Sequence, residues 1–153
     1  MHVAVPEKFV WLAWSSAFLI PWLAAFIAFP AHRRAILWTS LFTTPFGLTE
    51  PLFVPEYWNP PSLFDLAQRT GFDIESLIFC FGIGGIGAVS YNIVTGKGHG
   101  RMRSTARRHA SHRFHFWAVA APFLVFPILY LMDWNPIYPA IVAMALGAVS
   151  TML

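Results

Sequence analysis

Apolar residues follow one another along the chain in long runs that are separated by short polar segments. A helix needs roughly 20 apolar residues to cross a bilayer, at a rise of about 1.5 Å per residue. Runs that approach or reach this length predict helices over residues 9–29, 36–54, 74–94, 114–132 and 137–153. We therefore expect an all-α fold, a polytopic membrane bundle of about five transmembrane helices that forms a single membrane domain over residues 1–153.

The composition supports a membrane protein and excludes several other classes. Hydrophobic residues make up 57% of the chain, aromatic residues 17% and charged residues only 11%, whereas charged residues form about 25% of a typical soluble domain. The net charge of +3 is too small to indicate nucleic-acid binding. The single cysteine, Cys80, excludes an intramolecular disulfide framework and a multi-cysteine metal site.

Basic residues predict the orientation of the helices. Arg33 and Arg34 follow the first predicted helix, and the loop over residues 96–113, after the third helix, is rich in lysine and arginine. Cytoplasmic loops carry such an excess, so we expect the N-terminus outside and the acidic residues at the outer side of a plasma or inner membrane. The 96–113 loop binds anionic lipid headgroups or only sets the orientation; the sequence leaves both open.

Three acidic residues are the strongest candidates for chemistry. Glu50 lies inside the second apolar run between Pro45 and Pro51, and Asp73 and Glu75 open the third. Prolines break the helical hydrogen-bond ladder, so we expect irregular backbone around Glu50. The second and third helices are joined by a short connection, which favours a Glu50/Glu75 pair at the outer end of the bundle.

Structural roles for these acids stay open. Asp73 and Glu75 are also explained as first-turn acids that complement a helix dipole. Glu50 is also explained by a hydrogen bond to a threonine, for which Thr43, Thr44 and Thr49 are candidates.

A neutral carboxylic acid in a dry, aromatic cavity suits the protonation of an isoprenoid double bond. Such a site excludes water, the rings stabilise a carbocation, and a second carboxylate takes a proton back. The predicted catalytic residues are Glu50, Glu75 and Asp73. The predicted substrate-binding residues are aromatic, small or amide-bearing: Phe46, Phe53, Tyr57, Trp58, Asn59, Phe79 and Gly82. This chemistry requires neither a cofactor nor a metal.

Two further motifs are weaker. Residues 82–87 spell GIGGIG, but the string lies within an apolar run rather than after a strand, so close helix approach is favoured over dinucleotide binding. His109, His112 and His115 repeat every three residues, with His99 nearby. Imidazole is a suitable ligand for iron, so a histidine-box oxygenase is a third hypothesis. No acidic ligand is expected on that side, so a polar interfacial cluster is favoured and no metal is predicted.

The tripeptide Trp-Asn-Pro occurs at residues 58–60 and again at residues 134–136. This repetition is explained equally by chance and by duplication of a helical unit. If the two elements are aligned, Phe126 takes the position of Glu50, so the acidic residue belongs to the first copy alone.

The segment around the acids resembles a known family. Residues 49–63 read TEPLFVPEYWNPPSL and residues 71–79 read GFDIESLIF. Across Thr43 to Val94 this pattern resembles the small membrane type of lycopene cyclase domain, which occurs as two subunits in some bacteria and fused in archaea and fungi. Glu75 matches the first glutamate of the family's Glu-Glu element, Asp73 stands where proline is usual, and Ser76 stands where the second glutamate is usual.

The resemblance implies a function and partners. The expected function is cyclisation of carotenoid end groups by acid/base chemistry without net redox change, as an intramolecular lyase or isomerase. The expected partners are a carotenoid or other isoprenoid lipid, the membrane lipids, and a second cyclase-like subunit in a homo- or hetero-oligomer. The alternative is a non-catalytic membrane subunit or a carotenoid-binding protein.

Overall fold

The computed structural model describes residues 6–98 and 115–150. All regular elements within these two ranges are helical, and neither range contains a strand. The chain divides into two compact units, Met1–His99 and Gly100–Leu153. The all-α class expected from the sequence is confirmed.

Within residues 6–98, unit 1 contains five α-helices and a long 3-10 segment. The α-helices are α1 (Val10–Ala17), α2 (Leu19–Ala28), α3 (Arg33–Thr43), α4 (Leu66–Thr70) and α5 (Ile74–Thr95). The 3-10 segment Thr44–Leu52 continues directly from α3, and shorter 3-10 turns cover Glu7–Phe9, Pro30–His32 and Leu63–Asp65.

Prolines account for the places where the predicted helices depart from regular α-helix. Pro21 has no N–H to donate to the carbonyl of Ala17, and the helix is interrupted at Phe18, between α1 and α2. The second predicted helix stays α-helical only to Thr43, and the following segment, which contains Pro45 and Pro51, is 3-10. The irregular backbone expected around Glu50 is confirmed.

Helix α5 is the centre of unit 1, because its glycines let the other helices approach its backbone. A Cβ placed at Gly82 would lie 3.0 Å from Cβ of Phe18 in the α1–α2 break. A Cβ at Gly84 would overlap Thr43 of α3, and one at Gly85 would overlap Ser40 and Trp22. The close helix approach predicted for residues 82–87 is confirmed at these three glycines.

The packing partners also give the helix directions. Phe18 lies at Gly82 and Trp22 at Gly85, so α1 and α2 run in the direction of α5. In contrast, Ser40 lies at Gly85 and Gly47 at Leu77, so α3 runs antiparallel to α5. The beginning of α1 and the beginning of α5 therefore share one end of the unit, and the beginning of α3 shares the other end with the last turn of α5.

Charges separate between these two ends of unit 1. All the acids of residues 6–98 lie at the acidic end: Glu7, Glu50, Glu56, Asp65, Asp73 and Glu75. Two basic residues, Lys8 and Arg69, lie at the same end. The basic end, formed by the start of α3 and the segment after α5, carries Arg33, Arg34 and Lys97. The separation matches the distribution expected from the sequence. Most of the basic 96–113 loop lies outside the described residues.

Unit 2 is described as a hairpin of two helices, α6 (His115–Tyr130) and α7 (Ile137–Ser150). A Cβ at Gly147 of α7 would lie 2.8 Å from the carbonyl oxygen of Ala118, so the two helices pack closely. The side chain of Asn135 accepts a hydrogen bond of 3.2 Å from the backbone N–H of Ile137 at the start of α7.

The described residues bury polar groups and expose apolar ones. The buried polar or charged side chains are Ser15, His32, Ser40, Glu50, Ser62, Asp73, Glu75 and Ser76, against Ile36, Ala67, Val89 and Ala143 as the buried hydrophobic ones. Large apolar side chains on every long helix are exposed, among them Ile20 at 72%, Phe42 at 70% and Val94 at 85%. A soluble protein has the opposite distribution.

By length and composition, two helical stretches of the described chain qualify as membrane-crossing: Glu7–Ala28 and Ile74–Thr95, each with a mean hydropathy of 1.8. Shorter apolar helices cover Phe116–Tyr130 and Ile137–Ser150. Five crossings remain a prediction.

Candidate functional site

Three acidic side chains are buried at the acidic end of unit 1. Glu50 of the 3-10 segment is 6% exposed, and Asp73 and Glu75, at the start of α5, are each 0% exposed. The contact between the two elements is tight, because a Cβ at Gly47 would lie 2.8 Å from the backbone nitrogen of Leu77. We call Glu50, Asp73 and Glu75 the carboxyl cluster. Its described hydrogen bonds join Glu50 to Asp73 and Glu75 to Leu63, and none of them joins the predicted pair of Glu50 and Glu75.

Asp73 links Glu50 to the start of α5. Its backbone is extended, and its Oδ1 accepts a 2.6 Å hydrogen bond from the N–H of Ser76, the arrangement of a helix N-cap. This conformation directs the N–H of Asp73 to Oε2 of Glu50, at 2.9 Å. Asp73 is therefore the N-cap of α5, rather than only a first-turn acid, and its backbone N–H contacts Glu50, another of the predicted catalytic residues.

Glu75 is held by the loop that precedes α5. Its Oε1 accepts a 2.7 Å hydrogen bond from the N–H of Leu63. That loop is itself held by Ser62, whose Oγ accepts from the N–H of Ala67 at 2.8 Å at the start of α4. Gln68 adds a 2.6 Å bond from its Nε2 to the carbonyl oxygen of Pro60. The position of Glu75 thus depends on the folding of the whole loop.

Each member of the carboxyl cluster has one buried side-chain oxygen that makes no described hydrogen bond. Oε1 of Glu50, Oδ2 of Asp73 and Oε2 of Glu75 are buried and have no hydrogen-bond partner among the described residues. Burying an ionised oxygen without a partner is costly. These atoms are therefore the ones available to carry a proton or to meet a polar group of a ligand.

The described hydroxyl groups of Thr43, Thr44 and Thr49 bond to backbone carbonyl oxygens rather than to Glu50. Thr44 donates to the carbonyl oxygen of Ser40 at 2.7 Å, and Thr49 donates to that of Phe46 at 2.7 Å. The hydroxyl of Thr43 lies 2.8 Å from the carbonyl oxygen of Cys80 and so links α3 to α5. The Glu50 side chain instead interacts with the start of α5, through Asp73 and Ser76.

An aromatic cluster forms beside α5 near the same end. Trp11 lies between two predicted substrate-binding residues, with ring centroids 5.3 Å from Trp58 and 5.7 Å from Phe79. Phe79 also meets Phe18 edge-on at 5.0 Å. Phe79 follows Glu75 by four residues on α5, so the two share a helix face. Sequence analysis missed Trp11, although the spacing of Trp11, Phe18 and Trp22 marks one face of the first helix.

The remaining predicted substrate-binding residues occupy other places. Phe46 packs near Phe42 with ring centroids 6.3 Å apart, and Phe53 packs near Tyr57 at 6.4 Å. The side-chain oxygen of Asn59 lies 3.4 Å from Nε2 of Gln68. Gly82 is occupied by its contact with Phe18.

No group of three or more histidine, cysteine, aspartate or glutamate side chains that could hold a metal ion is found within residues 6–98 and 115–150. The three acids of the carboxyl cluster do not form such a group either. The predicted histidine group lies outside the described residues, except for the backbone of His115.

Comparisons with protein-family models, with curated proteins and with solved structures find no match for this chain. The resemblance to the lycopene cyclase domain therefore remains a prediction from the sequence, and the carboxyl cluster with its neighbouring rings is the structural basis on which a function is proposed.

Proposed function

We propose that this chain is a multi-pass membrane protein that transfers protons to and from the end group of a carotenoid or related isoprenoid, as in lycopene cyclisation. The observation that carries the proposal is the carboxyl cluster: three buried acids, each with one buried oxygen that has no described partner. Buried acids are costly, and they occur preferentially where chemistry requires them.

The surface of the helices supports the membrane part of this proposal. Only 6% of the apolar window in Glu7–Ala28 and 17% of that in Ile74–Thr95 is buried, whereas the core helix of a soluble protein is mostly buried. In the proposed arrangement, five segments each cross a plasma or inner membrane. They are α1 with α2, α3 with its 3-10 segment, α5, α6 and α7. The acidic end then faces outward and the basic end faces the cytoplasm.

Proton transfer in the proposed reaction is balanced within the cluster. Glu50 gives a proton to the terminal double bond of the substrate, which leaves a tertiary carbocation. A neighbouring double bond of the substrate attacks this cation and closes the ring. Glu75 then removes a proton from the adjacent ring carbon, so the product is an isomer of the substrate. The next turnover requires that proton to return to Glu50.

Two neighbouring features assist this chemistry. Asp73 holds Glu50 through its backbone N–H, which keeps the donor at the start of α5. The rings of Trp11, Trp58 and Phe79 offer electron-rich faces for a cation. A second cyclase-like subunit, as implied by the resemblance, would complete the bundle.

Expression in lycopene-accumulating cells tests the proposal. We expect β- or γ-carotene to appear, and we expect Glu50→Gln and Glu75→Gln each to lower its formation at least about 100-fold. Glutamine keeps an acceptor for the N–H of Asp73 or Leu63 but cannot transfer the proton. Glu56→Gln is the matched control, because Glu56 is exposed in the same part of the chain. Product formation that survives in both cluster variants would disprove the acid/base roles.

A non-catalytic, pigment-binding function is the second candidate, and one observation favours it. An open surface groove of about 440 Å³ is lined by Val10, Ala13, Trp14 and Ala17 on α1. Its lining is apolar and suits an isoprenoid chain. Unchanged lycopene that co-purifies with the protein, and that is lost in Ala13→Leu but retained in Ala88→Leu on the exposed side of α5, would favour binding without turnover.

A further inference from the structure

The basic end of unit 1 combines exposed cations with exposed aromatic rings and no acid. Arg33 and Arg34 begin α3, and Lys97 follows the last turn of α5. No aspartate or glutamate of residues 6–98 lies at this end. Tyr91 is 63% exposed and Trp38 is 64% exposed on the adjoining helix surfaces. Tryptophan and tyrosine are enriched where membrane helices meet the headgroup layer.

The three cations differ in the contacts that they make within unit 1. Arg33 is engaged by its own unit, since its Nε donates to the carbonyl oxygen of Phe26 at 2.7 Å and its guanidinium lies 5.3 Å from the Phe26 ring. It therefore satisfies the C-terminal carbonyls of α2. Arg34 is exposed on the next position of α3. Lys97 lies 5.2 Å from the ring of Tyr91, and its Nζ donates to the Tyr91 hydroxyl at 3.1 Å.

We infer that Arg34 and Lys97, together with the hydroxyl of Tyr91, bind the phosphate of an anionic phospholipid at the basic end. A phosphate diester accepts hydrogen bonds from both cations, and the ring of Tyr91 lies along the glycerol region of the lipid. An anionic leaflet contributes on the order of 1 kcal/mol per basic residue near its surface, which corresponds to about a fivefold preference per cation. The inference rests on the membrane arrangement of the proposed function, but not on the chemistry proposed for the carboxyl cluster.

Charge and position favour a lipid over other anions. The chain carries a net charge of only +3, too little for a nucleic-acid partner. The two cations lie where apolar helix surfaces end, so a bound phosphate would sit at the depth of a headgroup. Lys8 and Arg69 provide the contrast within the same unit, because they lie at the acidic end among Glu7, Asp65 and other acids.

Native mass spectrometry of the detergent-solubilised protein tests this inference. Phosphatidylglycerol is titrated against phosphatidylcholine, and the dissociation constant of the first bound lipid is measured. We expect phosphatidylglycerol to bind at least about tenfold more tightly than phosphatidylcholine. The double variant Arg34→Gln/Lys97→Gln should lose this preference, and Arg34→Lys/Lys97→Arg should keep it. The control Lys8→Gln/Arg69→Gln, which removes the same charge from the acidic end, should also keep it.

Several results would overturn the inference. The first phosphatidylglycerol could bind the Arg34→Gln/Lys97→Gln variant as tightly as the wild type, which would place the lipid elsewhere. The control could lose the preference equally, which would reduce the effect to net charge. Inorganic phosphate, added in excess, should not displace the lipid; if it does, the site is for free phosphate rather than for a lipid. Unchanged helix content, measured by circular dichroism, shows that each variant is folded.

Discussion

Two helices of this chain follow a Trp-Asn-Pro element, and they begin in different ways. In unit 2, α7 starts immediately after the element, and a neutral amide, Asn135, accepts from the N–H of Ile137. In unit 1, α5 starts only after a folded loop, and Asp73 takes the capping position. Both ends satisfy a backbone N–H, so capping alone does not require a carboxyl group.

The difference isolates what is unusual in unit 1. At the start of α7 the buried residues are Pro136, Pro139 and Ala143, with no acid among them. At the start of α5 two acids are fully buried, and Glu50 joins them from the 3-10 segment. Unit 1 thus buries more carboxyl groups than its helix start needs. This excess is the reason for placing chemistry in unit 1 rather than in unit 2.

The largest expected effect on stability comes from the close packing of α2 and α3 against α5. Gly85→Ala adds a Cβ that would overlap Ser40 and Trp22, whose side chains share a 2.8 Å hydrogen bond. We expect the free energy of unfolding to fall by about 3 kcal/mol, measured by thermal unfolding in detergent micelles. Gly87→Ala is the matched control on the same helix, because nothing lies within 4 Å of its added Cβ. There, stability should rise by about 0.5–1 kcal/mol through helix propensity. Equal losses at the two positions would contradict the role of Gly85 as the close-approach point.

An intermediate effect is expected at the cap of α5. Asp73→Ala removes the acceptor for the N–H of Ser76 and loosens the backbone that holds Glu50, so unfolding should become easier by about 1–2 kcal/mol. Asp73→Asn keeps a capping oxygen and removes the carboxyl group. We expect its stability to remain within about 0.5 kcal/mol of the wild type.

The same pair of variants separates positioning from catalysis in the proposed function. If Asp73 only positions Glu50, then Asp73→Asn retains cyclisation while Asp73→Ala reduces it. Loss of cyclisation in Asp73→Asn, with stability preserved, would instead make Asp73 a proton-transferring residue. Both outcomes are read from the ratio of product to lycopene in the expression experiment.

Much of unit 1 could be predicted from local features of the sequence. Prolines at 45 and 51 indicated the irregular segment at Glu50, because a residue without an N–H disrupts the helix wherever it lies. The glycines at 82, 84 and 85 indicated close helix approach for an equally local reason. The separation of charges between the two ends followed from the order of basic and acidic residues along antiparallel helices.

The partners of the acids could not be predicted, because they depend on how distant segments fold. Leu63, whose N–H meets Glu75, precedes a turn through Phe64 and Asp65 with φ angles of 58° and 55°. Left-handed backbone is uncommon for residues other than glycine, and the sequence gives no sign of it at an aromatic residue such as Phe64. The choice of Asp73 rather than a threonine as the partner of Glu50 depends likewise on the contact between the 3-10 segment and α5.

The smallest effect is expected at the start of α7, where the comparison is tested from the side of unit 2. Asn135→Ala removes a single capping acceptor at 3.2 Å, so we expect a loss of about 0.5–1 kcal/mol. Hydrogen exchange should localise the loss, with faster exchange of the first amides of α7 and unchanged exchange in α5. A loss as large as that of Asp73→Ala would mean that the two caps contribute equally to the free energy of unfolding. The interpretation of Asp73 as both a cap and the holder of Glu50 would then be wrong, because capping alone would account for its full contribution.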